Sequence, residues 1–172
     1  GGNDANAAEP ADNGSFLLSR SGPTTAALTV SITVAGTATA GSDYTAIVGT
    51  VTFAATSSTA SVSVTILDDS IVENPETVIL TVVPGTGYVL GAPASSTVTI
   101  TSEDLPVITV VADDASAAEP ADNGSFQLSR SGPTATALTV SLSVAGTATA
   151  GSDFNAIAST VTFAVGSVVV AV

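Results

Sequence analysis

The chain has 172 residues, 45 % of them hydrophobic, and carries fifteen acidic residues against two arginines, with no lysine or histidine. A formal net charge of −13 argues against nucleic acid or an anionic membrane surface as a partner, because both require basic patches. Cysteine is absent, so no disulfide framework is possible, and the longest apolar run, 168–172, is far too short to span a bilayer.

The residue types favour β structure along the whole chain. Val, Thr and Ser are abundant, and they prefer a pleated, half-buried surface to a helix. Long runs of the strong helix formers Glu, Lys, Gln and Arg are missing. With only seven aromatic residues, the expected core consists mainly of Val, Ile, Leu and Ala. The predicted class is therefore all-β.

Alternating polar and apolar residues, separated by turn residues, predict seven strands in chain order. They lie at about 15–20, 27–34, 50–54, 60–67, 77–83, 96–101 and 106–111. The segment 61–66 alternates cleanly, as expected for a sheet with one solvated face. Segments 12–14, 21–23 and 84–87 have the composition of turns. Short strands at this spacing predict immunoglobulin-like, seven-stranded β-sandwiches.

An internal repeat organises the chain. The segment 8–54 recurs as 118–164 with mostly conservative exchanges, such as Ile32 to Leu142 and Tyr44 to Phe154. We predict one repeat at 1–105, whose first strand lies upstream or is supplied by another chain, and the N-terminal part of a second repeat at 106–172. A half sandwich with open edges is not expected to be stable alone. Neighbouring repeats of the same chain, or other copies in a homopolymer or filament, are therefore the expected partners.

The carboxylates of the first repeat are segregated at one end. Successive antiparallel strands alternate in direction, so the loops form two sets at opposite ends of the sandwich. Every acid of the first repeat falls in one set, which we call the acidic pole: Asp4, Glu9, Asp12, Asp43, Asp68, Asp69, Glu73, Glu76, Glu103 and Asp104.

A cation is the expected occupant of the acidic pole, because like charges held together repel and cost stability. Ca²⁺ takes six to eight oxygen ligands, which several converging loops can supply, whereas Mg²⁺ demands stricter geometry. Zinc and copper prefer the His and Cys ligands that this chain lacks. The alternative is a solvated acidic patch.

The segment 68–76, Asp-Asp-Ser-Ile-Val-Glu-Asn-Pro-Glu, resembles the Calx-beta motif, which is known from the regulatory region of sodium/calcium exchangers and from large surface proteins. The segments 8–9, 41–44 and 98–100 match as well. The resemblance implies a Ca²⁺-binding β-sandwich of the Calx-beta type. It implies as metal ligands Glu9, Asp43, Asp68, Asp69, Glu73, Glu76, Glu103 and Asp104, with Glu119 and Asp153 in the second repeat. Ser102 stands where the fullest sites of the family have another acid, so the number of ions stays open.

The segment joining the repeats, 102–106, ends at Pro106 and is too short to let them wander. We therefore predict an interdomain joint that includes Pro106, with Arg130 facing the acidic pole of the first repeat. The alternative is a solvated arginine, since an exposed ion pair contributes only ~0–1 kcal/mol. A double-mutant cycle without coupling between Arg130 and Glu103 or Asp104 would contradict the joint.

Three further patterns each have two interpretations. Asn13-Gly14-Ser15 and its copy at 123–125 fit the N-glycosylation pattern, but a plain Asn-Gly turn is the favoured interpretation. Paired carboxylates can hydrolyse glycosidic bonds, yet no His, Lys or Cys base and no aromatic platform accompanies them, so no enzyme is expected. The run 167–172 is either the start of a strand or an assembly-prone segment.

Two functions remain from the sequence. The main expectation is an extracellular or cell-surface fibre, adhesin or matrix protein in which Ca²⁺ stiffens the joints between repeats. The alternative is a Ca²⁺-sensing regulatory module attached to a transporter or enzyme. A third class, glycan binding, would require an exposed aromatic near the ion, and only Tyr44 is placed for that role.

Overall fold

A computed structural model describes residues 3–172, and its secondary structure consists entirely of strands and the turns between them. None of the residues it describes forms a helix with the length and apolarity needed to cross a membrane. The chain divides into two compact units, Gly1–Asp104 and Leu105–Val172. The predicted all-β class is confirmed.

The strands of the first unit are β1 (Asn6–Ala8), β2 (Gly14–Ser19), β3 (Leu28–Gly36), β4 (Thr50–Phe53), β5 (Thr59–Val64), β6 (Glu76–Val82) and β7 (Ser95–Thr101). Five of them form a sheet in the order β1-β7-β6-β3-β4, and β2 pairs with β5 in a second sheet. All pairings are antiparallel except that of β1 with β7. The two sheets pack face to face as a sandwich.

The core of the first unit lies between its two sheets. Phe16 and Val64 from one sheet, and Val78 and Val98 from the other, are almost completely buried. The sheets approach closely at Gly14, where an added Cβ would lie 2.5 Å from a Val98 methyl carbon. Burial of alternate side chains in each strand removes apolar area from water, at roughly 25 cal/mol per Å², and fixes the register, because a slip by one residue would expose the whole set.

The second unit contains β8 (Ile108–Asp114), β9 (Ser125–Arg130), β10 (Leu138–Ser141), β11 (Thr160–Phe163) and β12 (Val169–Ala171). One sheet has the order β12-β9-β8, and β10 pairs with β11. Phe126, the repeat counterpart of Phe16, is 46 % exposed, whereas Phe16 is 1 % exposed. The difference arises because the described residues of this unit include no counterparts of β6 and β7.

Two strand predictions need correction. The short strand β1 was not predicted, because three residues are too few to show alternation; it pairs Ala7 with Ile100. The strand predicted at 60–67 ends at Val64, because the amides beyond it bond outside the ladder: Ile66 N–H donates to the Asn13 side chain, and Leu67 N–H to the Asp43 carbonyl. The strand expected upstream of Gly1 lies outside the described residues.

Both arginines act inside their own repeat. The Arg20 guanidinium donates to the carbonyls of four loop residues at 2.9–3.2 Å and lies 5.5 Å from the Phe53 ring centroid. These four residues are Thr24, Ala26, Ala54 and Ser57. Arg130 is 7 % exposed, donates to the carbonyls of Thr136 and Ser167, and lies over Phe163. Arg130 is therefore not a solvated side chain, and its predicted place in a joint with Pro106 stays a prediction.

We expect Arg20→Gln to lower the free energy of unfolding by about 1.5–3 kcal/mol, because carbonyls that now accept from a charged donor would lose their partner. Urea unfolding at fixed calcium measures the change. Ser21→Ala, at an exposed neighbouring position, is the control and should leave stability unchanged. Equal stability of Arg20→Gln and wild type would contradict the role assigned to the guanidinium.

Candidate metal centre

Three carboxylates from separate parts of the first unit meet at the acidic pole. Asp43 follows β3, Glu73 lies in the loop before β6, and Glu76 is the first residue of β6. One carboxylate oxygen from each lies within 4.8 Å of the other two. Asp43 is only 6 % exposed. Carboxylates this close cannot all remain ionised without a large repulsion, unless a cation or a proton lies among them.

Backbone bonds hold Asp43 in this place. Its N–H donates to the carbonyl of Thr39, and its carboxylate accepts from the Thr39 N–H, so 39–43 forms a closed turn. The Asp43 carbonyl accepts from Leu67 N–H at 3.1 Å, which ties this turn to the end of β5. Tyr44 bridges to Ile66 and is 5 % exposed. Tyr44 is therefore not the exposed aromatic that glycan binding would require.

Protonation offsets part of the repulsion in the ion-free protein. Three causes together raise the pKa of Glu76 to about 7: burial first, then a hydrogen bond with Asp43, then the charges of Asp43 and Glu73. The pKa of Glu73 is raised first by burial and then by the charges of Asp43, Asp69 and Asp104. Below about pH 7, a proton on Glu76 therefore removes part of the repulsion that a cation would otherwise offset.

A second group of carboxylates surrounds Glu9. The Glu9 side chain is 6 % exposed, and its backbone N–H donates to Thr101 at the end of β7. Burial raises the pKa of Glu9; a hydrogen bond from Ser102 lowers it, and three carboxylates raise it, namely Asp69, Glu103 and Asp104. Because Asp69 and Asp104 also act on Glu73, the two groups are continuous.

The remaining predicted ligands are placed less closely. Asp68 is exposed, and among residues 3–172 it belongs to no cluster of three potential ligands. In the second unit Asp153 accepts from the Thr149 N–H at 2.7 Å, as Asp43 does from Thr39. Glu119 follows Ala118 in a turn that matches the Glu9 turn, and it is exposed. Within the described part of the chain, the second unit brings no third carboxylate to these two.

Two polar residues of the site were not predicted as parts of it. Ser102, known from the sequence only as a missing acid, hydrogen-bonds to Glu9 and accepts from the Asp104 N–H at 3.2 Å. Asn13, interpreted as a turn or a glycan acceptor, bonds to Ile66 fifty-three residues away. The Ser102 contact with Glu9 and the Asn13 contact with Ile66 have no local sequence signal, because each joins segments that are far apart in the chain.

The chemistry of the pole fits a hard cation. Its donors are carboxylate oxygens, the ligands that Ca²⁺ prefers. Glu9 Oε2 and Asp104 Oδ2 are buried and lack a hydrogen-bond partner within the described structure. A buried, unpaired carboxylate oxygen is costly, and coordination to a cation removes that cost. A plain solvated patch does not account for these two buried oxygens.

The family model of the Calx-beta domain matches residues 4–104 and, a second time, residues 102–172. The chain belongs to the Calx-beta family. The resemblance predicted from the segment 68–76 is thereby confirmed. None of the curated proteins matches the chain significantly.

Two solved structures share the Calx-beta fold with this chain. The calcium-binding domain CBD12 of CALX1.1 has a TM-score of 0.52 and 20 % identity, covering 98 % of this chain and 71 % of that one. CBD12 from CALX1.2 has a TM-score of 0.52 and 19 % identity, covering 99 % of this chain and 72 % of that one. At these identities the similarity concerns the fold. Ca²⁺, the cofactor expected from the sequence, is the ion in the description of the CALX1.1 domains.

The raised pKa of Glu76 predicts how the stability of the ion-free protein depends on pH. Because the folded protein binds this proton more tightly than the unfolded chain, the contribution is fully present below about pH 4.5 and is lost as the pH rises through about 7. We expect the melting temperature in a chelator to fall between pH 5 and pH 8, and the fall to be smaller in Glu76→Gln. Asp122→Asn, a carboxylate change in the second unit, should behave as wild type. A melting temperature that rises over this interval would contradict the prediction.

Proposed function

We propose that the acidic pole of the first unit binds Ca²⁺ and that the chain acts as a Ca²⁺-sensing regulatory module. The observation that carries this proposal is the meeting of Asp43, Glu73 and Glu76 within 4.8 Å. The unpaired buried oxygens of Glu9 and Asp104 support it independently. Membership of the Calx-beta family agrees with it.

The proposed ligands form the two groups described above. One ion would be held by Asp43, Glu73 and Glu76. Negative charge beside that ion would come from the carboxylates of Glu9, Asp69 and Asp104. The exposed rim of the site would consist of Glu103 and Asp68. In the second repeat, Glu119 and Asp153 occupy the positions of Glu9 and Asp43 and are proposed as the corresponding ligands. The ion supplies positive charge where protonation of Glu76 otherwise offsets part of the repulsion.

The arrangement suits a sensor because binding changes the force between loops. Without the ion, the segments that carry Glu9, Asp43, Glu73 and Asp104 repel one another; with the ion, the same segments share a ligand. A ligand shifts a conformational equilibrium only by its difference in affinity for the two states. The cost of ion-free repulsion provides such a difference, which an attached transporter or enzyme domain could read.

A second candidate is a Ca²⁺-stiffened structural array in an extracellular fibre or adhesin. The observation that favours it is the near-identity of 8–54 and 118–164, since repeated use of one sequence is typical of arrays. In this candidate the ions lock the segment between repeats, and neighbouring repeats or other copies are the partners.

Calorimetric titration of the chain with CaCl₂ is the test of Ca²⁺ binding. We expect binding with a rise in melting temperature, because a ligand at a hundred times its Kd stabilises a protein by about 2.7 kcal/mol. Asp43→Asn should weaken binding strongly, whereas the matched variant Asp153→Asn, at the same position of the second repeat, should bind at the first unit as wild type does. No heat and no stabilisation at millimolar Ca²⁺ would overturn the proposal.

The same titration separates the two candidates through affinity. Ca²⁺ sensors have Kd values of about 10⁻⁷ to 10⁻⁵ M, whereas extracellular modules lie near 10⁻⁴ to 10⁻³ M. A Kd in the first interval supports the regulatory module. A Kd in the second favours the structural array.

A further inference from the structure

The Asn-Gly-Ser motif at 13–15 has a contact that neither a turn nor a glycan acceptor requires. Asn13 Oδ1 accepts a hydrogen bond from the backbone N–H of Ile66 at 2.8 Å, in a partly buried position. Asn13 directly follows the turn that carries Glu9, and Ile66 is two residues before Asp68. The bond therefore joins two of the loops that form the acidic pole.

On one side of this bond is a closed turn. The Ala8 N–H donates to the Asp12 carbonyl at 2.9 Å, and the Asp12 N–H donates to the Ala8 carbonyl at 2.8 Å. Glu9 lies between them and cannot move without carrying the turn. Asn13, attached to the closed end of the turn, is thus placed to hold Glu9 relative to the rest of the unit.

On the other side is the point where β5 leaves its ladder. The Ile66 N–H is taken by Asn13, and the next amide, Leu67 N–H, is taken by the Asp43 carbonyl. Two consecutive amides therefore receive one tie from the Glu9 turn and one from the Asp43 turn. The chain then continues directly into Asp68 and Asp69. The backbone of Ile66 and Leu67 is therefore connected to all three acidic loops: by hydrogen bonds to two of them and by the chain itself to the third.

We propose that Asn13 is a positioning residue for the Ca²⁺ site, which holds the Glu9 turn against Ile66 so that Glu9 faces the carboxylates of the 68–76 loop. This inference rests on the proposed Ca²⁺ binding. We assign Asn13 a positioning role and not a ligand's, because its side-chain oxygen accepts from the Ile66 N–H. Groups that orient metal ligands from outside typically change metal affinity 10- to 100-fold when removed.

The chemistry of the contact distinguishes three side chains. Asn and Asp both present an oxygen that can accept from Ile66 N–H, whereas Ala presents none. The double variant Asn13→Asp with Asp122→Asn keeps the net charge of wild type and retains an acceptor at position 13. Asn123→Ala is the matched control, because Asn123 has the same local sequence and lies in the second unit.

The experiment measures Kd for CaCl₂ by calorimetry on the full chain, together with hydrogen exchange of the Ile66 amide. We expect Asn13→Ala to raise Kd about 10-fold or more and to expose the Ile66 amide to exchange. The Asn13→Asp/Asp122→Asn variant should restore both, and Asn123→Ala should leave both unchanged. An unchanged Kd in Asn13→Ala would overturn the inference, since a purely structural role lowers stability without altering affinity.

The outcomes also separate this inference from the proposed function. Absence of Ca²⁺ binding by wild type refutes both. Binding by wild type with equal Kd in Asn13→Ala refutes only the role of Asn13. If Asn13→Ala does not fold, the charge-matched double variant decides: it is expected to bind as wild type, and a Kd raised as far as 10-fold would overturn the inference.

Discussion

The repulsion among carboxylates at one pole is the constraint around which the first unit is arranged. Strand direction brings these carboxylates together. β3 ends, β6 begins and β7 ends at the same end of one sheet, and an acidic residue lies near each of these strand termini. The sandwich core holds these strands rigidly, so the acids cannot separate by moving the strands. Their charge has to be neutralised locally, and a shared proton or a bound cation are the two ways available.

At the opposite pole, the side chain of Arg20 holds the loops together. There the loop carbonyls of the segments 24–26 and 54–57 converge, and the Arg20 guanidinium donates to four of them. The Arg20 guanidinium thus supplies the positive charge that joins the loops at this end. At the acidic pole, the carboxylates are placed to bind a cation from solution. Arg130 makes the same type of contacts in the second unit. The contacts that join the loops at this end therefore need no bound ion.

Much of the fold followed from local pattern, and the parts that did not are those fixed by distant contacts. Alternation located six strands of the first repeat within a few residues, because each has one buried face. It overextended the strand at 60–67, since Ile66 and Leu67 are apolar but bond to Asn13 and Asp43 instead of a neighbouring strand. It missed Asn6–Ala8, whose identity as a strand depends on pairing with β7.

The candidate site shows the same division. Sorting loops by strand direction placed the acids at one pole, and Asp43, Glu73 and Glu76 do meet there. Sorting could not show that Asp68 would be exposed while Glu9 would be buried with an unpaired oxygen. Those differences depend on the turn at 8–12 and on Ser102, which are set by contacts between segments far apart in the sequence.

The most direct test of the account is a crystal structure grown in Ca²⁺, with anomalous differences used to locate the ion. We expect an ion peak bounded by Asp43, Glu73 and Glu76. We also expect the carboxylates of Glu9 and Asp104 to be directed toward an ion beside it. A crystal grown in excess Ca²⁺ that shows no ion peak at the acidic pole would contradict it. The pole would then be an acidic surface stabilised by protonation alone.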